Sequence, residues 1–206
     1  MIFGFGQKHH RAVRRRIQVG IIGTGHGVGV THTALAIANC LASFSAYRVA
    51  FVEVSEHSSI IAFLSAEPFM LGANIGYGYK GVDYFPAVRE EGLSRIFAAD
   101  YDVTICDLGA VSTDEYQIAD RFDELLIIGS LRPWRYEEYR VFMRDFYIRY
   151  DMRHGSLFGL YLKEEERRRF KEEFDETVRE LPYLCDPFKL EIEDIGHLRK
   201  MTEGWL

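Results

Sequence analysis

Residues 17–32, IQVGIIGTGHGVGVTH, run from an apolar stretch through a cluster of glycines into a segment with helical spacing. The apolar residues 17–22 predict a strand, and Leu35, Ile37, Ala38 and Leu41 line one face of a helix over residues 31–44. A glycine-rich turn between a strand and a helix gathers successive backbone N–H groups and the positive end of the helix dipole at one point. That point suits a phosphate. Where such loops transfer phosphate, a lysine follows the last glycine, and the hydroxyl of the next Ser or Thr holds a magnesium ion. Here Gly29 is followed by Val30 and Thr31, so the hydroxyl is kept and the lysine is absent.

Outward from this loop, residues 48–54 (RVAFVEV), 101–106 (YDVTIC), 125–129 (LLIIG) and 157–162 (LFGLYL) are further apolar runs of strand length. Separated by helical segments, they predict an α/β fold: a mainly parallel sheet with helices on both faces. The glycine- and tyrosine-rich residues 72–84 are expected to be extended or to form a hairpin, and Leu93, Ile96 and Phe97 mark a short helix. Over residues 135–150, Tyr136, Tyr139, Phe142, Met143, Phe146 and Tyr150 form an aromatic stripe that reads as core and edge packing, not a cofactor box. A further helix is expected over residues 163–181, with Phe170, Phe174, Val178 and Leu181 inward and the spacings Glu164–Arg168 and Glu165–Arg169 pairing outward. No repeat or low-complexity linker interrupts the chain, so a single domain over residues 17–206 is expected behind a basic arm over residues 1–16.

Residues 27–31, GVGVT, resemble the G-V-G-K-T core of the MinD/ParA group of P-loop ATPases, which includes the CpaE/TadZ pilus-positioning proteins. The likeness continues through residues 101–107, YDVTICD, where the group has a Y-D-x-x-x-x-D strand ending in a magnesium-facing aspartate, and on to Ala119-Asp120 and residues 125–129. It covers most of residues 17–190 and implies a three-layer P-loop NTPase fold. It also implies a site for ATP and magnesium formed by Gly25, His26, Gly27, Val28, Gly29, Val30, Thr31, His32 and Asp107, with Thr31 and Asp107 facing the metal. The departures bear on activity. The group's signature lysine, two residues before the G-V-G-K-T core, is replaced by Gly25, next to His26, and the loop lysine by Val30. The D-x-D that ends the group's second strand, whose second aspartate lies near the attacking water, is Glu53-Val54-Ser55 here. Losing cationic stabilisation of a transferring phosphoryl group costs several powers of ten in rate. The resemblance therefore implies a catalytically impaired relative: a pseudo-ATPase that binds nucleotide weakly or not at all, and serves as a binding, positioning or scaffold module for a bacterial secretion or pilus machine. A second reading is a slow or non-hydrolysing ATP-binding switch.

Several residues keep two readings. Protonated His26 and His32 could contact phosphate, or His26 is a solvated loop residue and His32 packs at the helix start. Arg132, after the fourth strand, is a candidate cation for the loop, and Asp107 either faces magnesium or caps a neighbouring loop and bonds Thr31. Glu53 at a strand end also fits a ribose-binding acid of a dinucleotide enzyme, but no register of residues 23–32 gives G-x-G-x-x-G, which counts against that reading.

With 206 residues, 48% apolar and 27% charged, the composition is that of an ordinary globular domain. The formal net charge of -6 argues against general nucleic-acid binding. Against that background, Lys8, Arg11, Arg14, Arg15 and Arg16 form an acid-free basic run behind Met1, Ile2, Phe3 and Phe5. Such an arm is either a solvated tail or a peripheral contact with an anionic membrane or a protein partner. No apolar stretch reaches the length of a membrane span and none resembles a signal peptide, so the expectation is a cytoplasmic protein, or one at the inner face of the membrane. Cys40, Cys106 and Cys185 are widely spaced and read as reduced core residues.

Overall fold

The computed structural model describes residues 16–44, 47–110, 118–149 and 155–205. The glycine cluster divides β1 (Ile17–Gly23) from α1 (Val30–Phe44), and strand β2 (Val49–Val54) follows. Two antiparallel hairpin turns come next, through β3 (Pro68–Leu71), β4 (Asn74–Tyr79) and β5 (Val82–Val88). The chain continues through α2 (Glu90–Phe97), β6 (Val103–Ala110), β7 (Glu124–Gly129), α3 (Tyr136–Arg149), β8 (Gly155–Gly159), α4 (Glu164–Phe174), β9 (Arg179–Glu180) and α5 (Ile192–Met201). These strands form one nine-stranded sheet in the order β3-β4-β5-β2-β6-β1-β7-β8-β9, with every pair parallel except β3/β4 and β4/β5.

Both faces of β1 are covered, which is why its sequence is apolar on both sides from Val19 onward, with Gln18 as the one polar residue. Ile17, Val19 and Ile21 belong to a core shared with Ala34, Ile37 and Ala38 of α1 and Leu198 of α5. Ile22 faces the opposite core, where Tyr139, Phe142 and Phe146 of α3 meet Phe170 of α4. This is the expected three-layer arrangement. The aromatic stripe is core, as its periodicity predicted: Tyr139, Met143 and Phe146 are buried, and the Tyr139 and Phe170 rings lie 5.0 Å apart.

Several expectations need correction. The helix predicted over residues 163–181 stops at Phe174, because Asp175 takes a left-handed conformation (φ 55°) and caps the last turn through its N–H to the Lys171 carbonyl. Val178 and Leu181 still enter the core, but from the residues flanking the short edge strand β9. In α4, Arg168 pairs forward with Glu172 at 3.9 Å, while Arg169 lies 3.7 Å from the centre of the Tyr136 ring. The strand expected over residues 157–162 is shifted to Gly155–Gly159, and Tyr161 beyond it has a positive φ of 49°. Residues 72–84 do form a hairpin, but its second arm is also the parallel neighbour of β2, which places four residues beyond that stretch in the sheet. Cys40 and Cys106 are buried as expected; Cys185 is exposed, since it lies in the irregular segment after Leu184. Of the basic arm only Arg16 falls within the described residues, where it pairs with Asp100 at 3.1 Å; the rest of the arm and Tyr150 lie outside them. Among the described residues no helix is long and apolar enough to cross a membrane.

Candidate functional site

The phosphate loop leaves the carboxyl end of β1, which lies between β6 and β7. The connection after β1 leads to α1 on one face of the sheet and that after its neighbour β7 leads to α3 on the other, and this switch in direction opens the crevice in which α/β proteins receive ligands. The loop begins with the Thr24 N–H bonded to the Ile128 carbonyl (2.9 Å) and ends with the Thr33 N–H on the Gly29 carbonyl (2.9 Å), the first bonds of α1. Gly27 (φ 71°) and Gly29 (φ 96°) are left-handed, and a side chain at either would enter open space, with nothing within 4 Å. The backbone therefore takes a conformation that only glycine adopts at no cost, and its mouth is clear.

Inside the loop the packing is apolar. Val28 and Val30 are buried, and their Cγ2 atoms come within 2.9 and 2.8 Å of where a Cβ on Gly23 would stand. The side chain at position 30 thus packs back on the end of β1. Thr31 is half-buried and its hydroxyl donates to the Asp107 carboxylate, which also accepts from the Gly109 N–H at 2.9 Å. Burial pushes the Asp107 carboxyl above the ordinary carboxylate range; the bonds from Thr31 and Gly109 oppose the shift, and the nearby Glu53 charge adds to it. The bond between Thr31 and Asp107 matches the metal-independent reading of this pair. The same two oxygens would serve a magnesium ion, with phosphate and water completing its shell. Among the described residues no group of three His, Cys, Asp or Glu side chains is placed to hold a metal by itself.

Glu53 stands beside Asp107 in the β2/β6 register and is committed to structure. Its Oε1 accepts from the Ser59 N–H (2.7 Å) and hydroxyl (2.6 Å), and its Oε2 from the Ala87 N–H (3.3 Å). The histidines divide as well. His32 Nε2 lies 2.9 Å from the Leu184 carbonyl and fastens the segment before α5 to α1, which is the packing reading; His26 is exposed. Arg132 is turned away from the loop, 3.7 Å from Glu166.

The cation that does reach the loop is Arg135, which sequence reasoning missed. Its Nη2 donates to the His26 carbonyl at 2.7 Å, and Nε and Nη2 both donate to Glu138 Oε2, at 3.0 and 2.8 Å. The pair fills the space beside Gly25: a Cβ there would lie 2.3 Å from Glu138 Oε2 and 3.1 Å from Arg135 Nη2. The i,i+3 spacing of Arg135 and Glu138 was visible in the sequence; its proximity to residue 25 was not. On the other side of the loop, a cavity of about 550 Å³ opens beside Thr31 and His32, walled by Phe63, Tyr79, Lys80 and Phe188. The buried Thr24 Oγ1 has no hydrogen-bond partner, alone among the buried side-chain oxygens and nitrogens of the described residues.

The strand order and the loop together define a P-loop NTPase fold. No protein-family model matches the chain, and no curated protein matches it in sequence. Solved structures do match in fold. A plasmid partition protein of Borrelia burgdorferi B31 bound to AMPPNP superposes with a TM-score of 0.66 at 12% identity, covering 92% of this chain and 98% of that one. The MinC:MinD cell division complex of Aquifex aeolicus gives 0.67 at 17% identity over 90% and 96%, and a ParA family ATPase of Chlorobium tepidum gives 0.62 at 15% over 92% and 94%. The chain therefore has the fold of the ParA and MinD ATPases, as the GVGVT and YDVTICD segments implied.

Proposed function

We propose that this protein is a catalytically impaired relative of the ParA/MinD ATPases that uses the fold as a binding and positioning module, of the kind that marks a site for a bacterial secretion or pilus machine. The observation that carries this reading is the state of the two lysine positions. Val30 is packed into the core at the one, and the Arg135–Glu138 pair lies over Gly25 at the other. Glu53, the acid within β2, is held by Ser59 and Ala87, and Ser55 stands where the family's second aspartate lies near the attacking water. Each of these losses removes transition-state stabilisation from phosphoryl transfer without touching the fold.

A second reading, a nucleotide-binding switch that hydrolyses slowly or not at all, is favoured by the open space over Gly27 and Gly29 and by the Thr31–Asp107 pair. Backbone amides do not depend on a lysine to hold phosphate. The neighbouring structures include one with AMPPNP and one, a cobyrinic acid a,c-diamide synthase of Mycobacterium smegmatis, with ADP and magnesium. In this reading the cavity beside His32, of a size usual for small-molecule sites, takes the nucleoside.

The deciding experiment is ATP turnover and calorimetric titration with ATP and magnesium on the parent and on Thr31→Ala. Turnover that needs magnesium and vanishes in Thr31→Ala would sink the first reading. Binding without turnover, lost in Thr31→Ala, selects the switch. No heat and no turnover selects the positioning module, whose partners are then sought in cells, with charge reversal at Arg14, Arg15 and Arg16 testing the arm as the contact. A lysine restored at position 25 as a positive control must be combined with removal of Glu138, which otherwise occupies its space.

A further inference from the structure

We propose that Arg135 is the phosphate-binding cation of this loop and Glu138 its built-in competitor, so that an incoming phosphate group takes Arg135 from Glu138 by anion exchange. The proposal rests on the second reading above, in which the loop holds a phosphate group over the open glycines. Three observations carry it. Arg135 is tied to the loop itself, through the His26 carbonyl at 2.7 Å, one residue before the left-handed Gly27. Its bonds to Glu138 use Nε and Nη2 and converge on the single oxygen Oε2. Nη1 has no acceptor among the described residues, so the guanidinium keeps donors for a second anion. Third, the side chains are 25% and 46% exposed, so the pair can part without opening the core.

The other cations near the loop are engaged elsewhere. Arg132 faces Glu166, Arg169 covers the Tyr136 ring, and Lys80 donates to the Phe188 carbonyl at 3.0 Å. An exposed ion pair is a weak competitor, whereas a guanidinium against a phosphate forms two parallel charge-assisted bonds. A ligand with several negative charges therefore wins Arg135, and a carboxylate or a single weak anion does not. Glu138 sets the threshold: Arg135 stays paired with its own acid until a di- or triphosphate arrives. Trp134, adjacent to Arg135 and 78% exposed, is placed to report the exchange by its fluorescence.

The test is titration of inorganic triphosphate, without metal, into the parent, Glu138→Gln, Arg135→Ala and the Arg135→Ala/Glu138→Gln double variant. Calorimetry and the amide resonances of Gly27 and Gly29 are the readouts. All of these positions are at the surface, and thermal melts establish that each variant is folded. The expected result is binding about tenfold tighter in Glu138→Gln than in the parent, and no such gain in the double variant. Equal affinity of parent and Glu138→Gln, with the glycine amides still shifting, overturns the exchange while leaving the loop as a phosphate site. An equal gain in Glu138→Gln and in the double variant also overturns it, since the effect is then loss of a negative charge and not release of Arg135. Absence of binding in every protein overturns the exchange and the phosphate reading together.

Discussion

Replacing Gly25 with alanine adds one methyl group to the phosphate loop, and its consequence depends on a residue more than a hundred positions away. The backbone at Gly25 is not left-handed, so alanine is locally tolerated, and reduced freedom of the unfolded chain would by itself stabilise the protein by about 0.4–1 kcal/mol. The added methyl, however, would lie 2.3 Å from Glu138 Oε2 and 3.1 Å from Arg135 Nη2. Both side chains must withdraw. An exposed pair contributes about 0.2–1 kcal/mol, and the bond from the charged Arg135 to the His26 carbonyl about 1.5–3 kcal/mol. With both partly lost, the net cost in the parent is about 1 kcal/mol, or about 2–4 °C in melting temperature for a chain of this size. In a Glu138→Ala background the nearest obstacle is gone, Arg135 can keep its bond to His26, and Gly25→Ala becomes neutral or stabilising by about 0.5 kcal/mol. Urea unfolding of the four proteins of this double-mutant cycle measures the coupling, expected at about 1–1.5 kcal/mol. If Gly25→Ala changes stability equally in both backgrounds, the Arg135–Glu138 pair does not lie over the loop, and the account of position 25 is wrong.

Further outcomes follow from the buried polar groups around the site. Glu53→Gln should cost about 1–3 kcal/mol in chemical denaturation, because an amide nitrogen replaces an acceptor of the Ser59 or Ala87 N–H; it should also lower the titration midpoint of Asp107 followed by carboxyl NMR, by removing a like charge. An unmoved Asp107 would refute that coupling. Asn39 accepts from the Tyr84 hydroxyl at 2.8 Å and donates to the Leu35 and Pro187 carbonyls, so Asn39→Ala should lose about 2 kcal/mol and loosen residues 181–190, seen as faster amide exchange there. For Asp107, raised by burial, the native state binds its proton more tightly than the unfolded chain. Relative to Asp107→Asn, the parent should therefore be at its best below the ordinary carboxylate pKa, lose stability as pH rises through the raised value, and stay at a constant disadvantage above it. Parallel pH profiles for the two proteins would contradict this.

The strand, loop and helix around residues 17–44 were legible because their signals are local. Apolar run length, glycine clustering and helical spacing act within a few residues, and both faces of β1 are buried as its mainly apolar sequence required. The aromatic stripe of α3 was legible for the same reason. Where local signals conflicted, the sequence misled: the apolar positions Phe170, Phe174, Val178 and Leu181 read as one helix, but Asp175 ends it and the last two positions flank the edge strand β9. The extension of β5 to Val88 and its parallel pairing with β2 were hidden because that pairing joins segments separated by two hairpin turns.

At the site, the sequence alone determined which chemical groups are present: a loop with glycines where left-handed backbone is needed, Thr31 without a preceding lysine, and Asp107 at a strand end. Only the tertiary structure decided how those groups are used. Arg135 meets His26 across 109 residues, His32 meets Leu184 across 152, and Glu53 is held by Ala87 from a neighbouring strand. The physical reason is that such contacts follow from the order of strands in the sheet, which brings distant loops to one edge, and a side chain's partner there depends on geometry that no stretch of neighbouring residues encodes.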